Sequence, residues 1–128
     1  MTPITLQEVV DQNYQWFVVE KHPKSMNASI TSCAYRGRDG ARCAIGCVLP
    51  DSLYYSDMDK LGSNITAVID HRPRLREFFK DIPTEALQRL QSSHDRYQCR
   101  WLIPFDQHMD KELRTFAFRY NLIYPPTT

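Results

Sequence analysis

The sequence predicts an α+β fold, mainly helical, with about five helices around a short β-hairpin. Two observations carry this. Apolar residues recur at helical spacing in several segments that begin or end at capping residues or prolines. One stretch, Cys33-Ala-Tyr-Arg-Gly-Arg-Asp-Gly-Ala-Arg-Cys-Ala-Ile-Gly-Cys47, instead holds strand-like residues on both sides of an Asp-Gly turn.

The first helix is expected from about Leu6 to Glu20. Thr5 and Glu8 have capping-box spacing, and Leu6, Val9, Val10, Asn13 and Phe17 share one face, flanked by Tyr14 and Trp16. His22-Pro23 ends it, because the residue before proline is pushed out of the helical region. The polar stretch from Ser25 to Ser32 reads as a loop leading to the hairpin, where Arg38-Asp39-Gly40-Ala41 forms the turn. Pro50 and Asp51 open a short helical turn through Tyr54 and Tyr55, with Asp51 as its cap. Gly62-Ser63-Asn64 is a breaker before the apolar run from Ile65 to Ile69.

Pro73 suits a first helical turn and is followed by Leu75, Phe78 and Phe79 as a buried side. Pro83-Thr84 starts the next helix, with Leu87, Leu90, His94 and Tyr97 on one face and Ala86 at its edge. Trp101-Leu102-Ile103 is a short apolar stretch. Asp106 is expected to cap a last helix whose core face is Met109, Leu113, Phe116, Ala117 and Tyr120. Residues 1–4 and 124–128 read as frayed ends of a single globular domain spanning 1–128, since no repeat or linker divides the chain.

At 128 residues the chain can bury roughly two thirds of its unfolded surface. Its hydrophobic fraction of 42% and charged fraction of 24% are ordinary for a globular domain. A net charge of +1 gives no overall pull toward nucleic acid or anionic membrane. No stretch reaches the ~20 apolar residues of a membrane span, and the N-terminus lacks the basic start and apolar core of a secretory signal. The expectation is a cytoplasmic protein whose cysteines are thiols, with no membrane partner and no cofactor.

Cys33, Cys43 and Cys47, with Cys99, His22, His71, His94 and His108 elsewhere, raise a zinc reading. Structural zinc sites usually present two close ligand pairs, and only Cys43 and Cys47 are that close here. In a hairpin the loop length decides the rest. A two- or four-residue loop sends Cys33 to the face opposite Cys43 and Cys47, whereas a three-residue loop aligns all three. The zinc set Cys33, Cys43 and Cys47 is therefore an alternative to buried, inert thiols. A nucleophilic arrangement of Cys43, His94 and Asp95 is the catalytic alternative. It competes with a packed, hydrogen-bonded His94, and Asp95 points off the His94 face.

Two basic clusters stand out: Arg36, Arg38 and Arg42 on the hairpin, and His71-Arg-Pro-Arg-Leu-Arg76. With Tyr35, Tyr54 and Tyr55, the hairpin arginines form a candidate binding surface. It is suited to a protein partner or, alternatively, to a nucleotide or nucleic acid. Intramolecular partners at Asp51, Asp57 or Asp59 are the competing use of these arginines. Val18 and Val19 lie off the main face of the first helix and Phe118 lies opposite the last helix's core face. Such residues mark either two-sided burial or a contact patch for a partner or homodimer.

The run from Cys33 to Asp51, with its Cys-x-Tyr-Arg-Gly-x-x-Gly-x-x-Cys-Ala-x-Gly pattern followed by Pro-Asp, resembles a motif of small uncharacterised proteins of bacteria and their phages. Leu90-Gln-Ser-Ser-His-Asp95 and the closing helix through Leu122 are similar to that group too. Cys47 departs from the pattern, which weakens a metal site that depends on it. The resemblance implies no activity or cofactor. It does imply a setting: a phage or mobile-element accessory protein in the host cytoplasm that binds a host protein stoichiometrically, inhibitors of bacterial defence systems among them.

Overall fold

Thr5 caps the first helix as a capping box. Its hydroxyl accepts the Glu8 N–H at 3.1 Å, and the Glu8 carboxylate accepts the Thr5 N–H at 3.0 Å. The computed structural model describes residues 2–27, 33–61, 64–98 and 101–126, without the side chains of 60 and 61. Helix α1 spans Leu6–Asn13 and continues directly as a π-helical segment, Tyr14–Val19. At the junction the buried Asn13 carboxamide donates to Val9 O at 2.9 Å and to Ala44 O at 3.0 Å. A side chain inserted into the helical ladder is a known cause of such irregularity. The segment stops at Val19, four residues before Pro23, and Lys21 beyond it lies in the left-handed region at φ 57°.

Four further helices follow: α2 Ile65–Asp70, α3 Pro73–Phe78, α4 Thr84–Asp95 and α5 Phe105–Arg119. Asn64 caps α2 through its side-chain oxygen, which accepts the Thr66 N–H at 3.1 Å. Pro83 and Pro104 stand at the N-caps of α4 and α5 without side-chain caps. Asp106 is thus not the cap of α5. It sits inside the first turn, where negative charge is also favourable, and ion-pairs with Lys21 at 3.3 Å. Asp51 likewise caps nothing by its side chain. The turn it enters closes on the carbonyl of Pro50, which accepts from Leu53 at 2.9 Å.

The mainly helical expectation holds, but the hairpin does not. The described residues contain no β-strand, only isolated bridges at Met26–Cys33 and Arg36–Arg42. The turn itself forms: Asp39 and Gly40 carry φ 56° and 77°, and Gly37 N–H donates to Ala41 O at 2.8 Å across a three-residue loop. What fails is the ladder. The Tyr35 N–H goes to the Asp59 carboxylate at 2.6 Å, while the N–H groups of Ala34 and Arg38 go to Ser25 O and Met26 O. On the other arm the chain winds into a helical turn after Cys43, with Cys47 N–H donating to Cys43 O at 2.9 Å. Backbone donors committed elsewhere cannot build a strand pair.

The core lies where α4 and α5 meet the first helix. Phe17, Leu87, Leu90, His94, Met109 and Leu113 are fully buried there, and Ile45 and Met58 bring the central loops onto it. Phe17 meets Phe105 edge-on at 5.6 Å. Both described ends are tied down. Ile4 is buried with its N–H on Phe78 O, and Tyr124 packs edge-on against Tyr14 while donating its hydroxyl to Asp110. No helix among the described residues is long and apolar enough to cross a membrane.

Candidate functional site

Helix α4 presents Gln91, His94 and Asp95 to the loop segments that replace the hairpin. Gln91 accepts the Ile45 N–H at 3.3 Å and donates to Asp95 Oδ1 at 3.0 Å. His94 is fully buried. Its Nε2 accepts the Ser25 N–H at 3.0 Å, so the ring proton sits on Nδ1, which lies 2.7 Å from Asp95 Oδ1. Lys24 completes the joint by donating to the carbonyls of Asp95 at 2.8 Å and Tyr97 at 2.7 Å, at the C-terminal end of α4.

The thiol brought to this pair is Cys33, not Cys43. Among the described residues, Cys33, His94 and Asp95 are the group of three whose potential ligand atoms all lie within 4.8 Å of one another. The chain does this by folding back: Cys33 bridges to Met26, next to the Ser25 that His94 holds. Cys33 Sγ lies 3.9 Å from Asp95 O and 3.9 Å from Met26 Sδ. Burial, with the Asp95 charge second, pushes its pKa up to about 11. Burial raises Cys43 to about 12 and Cys47 well above its ordinary value. A nucleophilic cysteine needs the opposite shift.

Nor does the trio fit a cation. A metal on Nδ1 would move the ring proton to Nε2, where it would oppose the Ser25 N–H, and the Lys24 charge acts on the same thiol. The three-residue loop does have the register that would align Cys33 with Cys43 and Cys47. The paired stretch is too short to use it, because Cys33 pairs with Met26 and residues 44–48 are turns. Cys99 lies outside the described residues.

The proposed Arg/Tyr surface is partly consumed by the fold. Tyr35 is buried. Arg36 donates to Asp51 at 2.5 Å and to Leu49 O at 2.7 Å, with its guanidinium 4.8 Å over the Tyr54 ring. This pairing holds the Asp51 carboxyl below its ordinary range. Tyr54 donates to Asp59 at 2.6 Å; burial and that carboxylate raise its pKa to about 12. Arg42 lies 5.2 Å over the Trp16 ring, which also stacks on His22 at 3.5 Å. Arg38 alone of the hairpin arginines is exposed. Tyr55 lies beneath Arg72, at 3.9 Å, which joins it to the second basic cluster.

An apolar surface also emerges, of which periodicity had pointed to Phe118 but not to the turn before α5. The turn before α5 is held from inside: Tyr97 donates its hydroxyl to Ile103 O at 2.7 Å, and the Trp101 ring stands edge-on to Tyr97 and His108 at 5.7 and 5.5 Å. Leu102 is consequently fully exposed at 101%, between Trp101 at 39% and Ile103 at 38%. Phe118 is 90% exposed on the outer face of α5. No family model matches the chain, and no curated protein or solved structure matches it either.

Proposed function

We propose that the protein acts by stoichiometric binding to another protein, and that the turn at Trp101-Leu102-Ile103 is its principal contact. The carrying observation is the complete exposure of Leu102 on a turn whose backbone and neighbouring indole are fixed from behind. An apolar side chain carried on an already anchored backbone leaves less ordering to be done on docking, and clustered exposed apolar residues mark contact sites. His108 stands edge-on beside Trp101, and the neighbouring Arg96 is already paired with Glu112. The fitting partner therefore presents an apolar pocket that receives Leu102. Arg38, exposed and, among the described residues, ion-paired only with the likewise exposed Asp39 at 3.6 Å, is the arginine of the 36–42 turn best placed to contribute at a rim.

The phage or mobile-element setting, a host protein as target, and the host cytoplasm as compartment rest on the resemblance of the Cys33–Asp51 and Leu90–Asp95 segments. Among the described cysteines, Cys33, Cys43 and Cys47 all have thiols raised by burial, and the reading rests on the exposed apolar turn instead. In affinity capture from host lysate followed by calorimetry with the captured protein, a fixed one-to-one stoichiometry is expected. Leu102→Asp should abolish it without moving the thermal transition. Undiminished binding by that variant would remove the turn from the interface, and absence of saturable capture would end the reading.

A further inference from the structure

The second basic cluster and two of the tyrosines meet at one place. Between the turn at 50–55 and the start of α3 lies a cleft of about 210 Å³, walled by Tyr54, Tyr55, Arg72 and Arg74 over Leu53 and Leu75. No carboxylate lines it. The groove between α4 and α5 carries Glu85 and Glu112, and the clefts at the N-terminus and beside α4 carry Glu8 and Asp95. Only this cleft among them has cationic walls and no carboxylate in its lining, the nearby Asp59 being engaged by the Tyr54 hydroxyl.

Its two arginines also have donors to spare. Among the described residues Arg72 makes no ion pair. Its guanidinium lies 3.9 Å from the Tyr55 ring centroid, so one face is stacked, while the residue remains exposed. Arg74 makes only a long, 3.5 Å contact to Ser52 O. A guanidinium has five N–H donors in a fork that matches phosphate oxygens, and it stacks well on planar rings. The burial of Leu53 and Leu75 beneath gives the site a firm floor.

We infer that this cleft takes a nucleotide unit, its phosphate held by Arg74 and its base laid on the outer face of the Arg72–Tyr55 stack. Base stacking on such platforms tolerates any sequence, because every base has a π-face. The cleft is smaller than the roughly 300–1,000 Å³ of typical small-molecule sites. It accommodates one unit with the remainder of the ligand outside, as a nucleotide within a single strand would be. A free mononucleotide offers the same chemistry. The cleft and the Leu102 turn are separate observations, so Leu102→Asp is expected to bind nucleotide as the wild type does.

The test is fluorescence anisotropy with a labelled oligothymidylate of about eight nucleotides, at low and moderate salt. Saturable binding is expected, with log affinity falling against log salt by about 0.7 per phosphate contacted. Arg74→Ala and Arg72→Ala should each weaken it about tenfold or more, and the exposed Arg119→Glu should not. If Arg72→Ala lowers the thermal transition by unstacking Tyr55, Arg74→Ala carries the test. Unlabelled AMP that displaces the oligonucleotide identifies a free nucleotide as ligand; failure to displace identifies the strand. No saturable binding at low salt, or unchanged affinity in Arg74→Ala, would overturn the inference. So would displacement by a phosphotyrosine peptide at lower concentration than AMP requires.

Discussion

His94 shows how one buried ring can decide a neighbourhood. Its Nε2 satisfies the Ser25 N–H and its Nδ1–H meets Asp95, so replacing it leaves a buried amide without an acceptor. His94→Ala should cost about 3 kcal/mol in urea unfolding, combining the lost hydrogen bond with a cavity. Burial holds its pKa below the ordinary 6.5, against the pull of Asp95. As pH falls, the unfolded chain takes up this proton first. Stability is therefore complete above about 6.5 and declines as pH drops toward the folded value. His108, lowered mainly by burial, acts with the same sign. Denaturation at about pH 7.5 and 5.5 should show this loss, and His94→Asn should reduce it to the share of His108. Glycines make a second contrast at this scale. A Cβ at Gly46 would overlap the carbonyl of Tyr35, whereas Gly40 has open space around it and only a positive φ to defend. Gly40→Ala should cost about 1 kcal/mol, and Gly46→Ala should prevent normal folding.

The elements differ in how they are held. Helix α1 depends on its capping box, and Thr5→Ala should lower stability by about 1 kcal/mol. The segment from Tyr35 to Asp59 is held instead by side chains reaching backbone. Arg36 clasps Leu49 O, and Asp59 takes both the Tyr35 N–H and the Tyr54 hydroxyl. Arg36→Ala should therefore destabilise by about 1–2 kcal/mol, while Arg38→Ala stays within about 0.5 kcal/mol. Thermal unfolding of the two variants distinguishes a structural latch from a free surface arginine. Charge reversal at Arg36 is for the same reason a poor probe of binding.

For the molecule as a whole, the thiols are expected to be quiet. With Cys33 held near 11 and Cys43 near 12, thiol-specific reagents should react slowly at neutral pH in a Cys99→Ser background. The rate should climb only in strongly alkaline solution, and unfolding should release all three at once. Rapid single-site reaction at neutral pH would mean a thiolate stabilised in a way this packing does not provide.

Local chemistry was legible in the sequence in several places, though the caps expected at Asp51 and Asp106 did not form because Arg36 and Lys21 claim those carboxylates. The capping box at Thr5 and Glu8, the helical faces of α4 and α5, and the Asp39-Gly40 turn all follow from residues within a few positions of one another. Strand pairing did not follow, because it depends on where each backbone donor finds its acceptor. Asp59 and Met26 lie far along the chain from the turn that seemed to need no one else. The same reason explains the histidine pair. Asp95 is adjacent to His94 in sequence, yet only the fold-back of residues 24–26 and 33 decides that Cys33, rather than Cys43, stands beside them. The sequence by itself determined a mainly helical chain, the capping box at Thr5 and Glu8, and the Asp39-Gly40 turn. The tertiary structure decided which polar groups are spent inside and which remain outside, because hydrogen-bond partners are allotted by distance in space rather than along the chain.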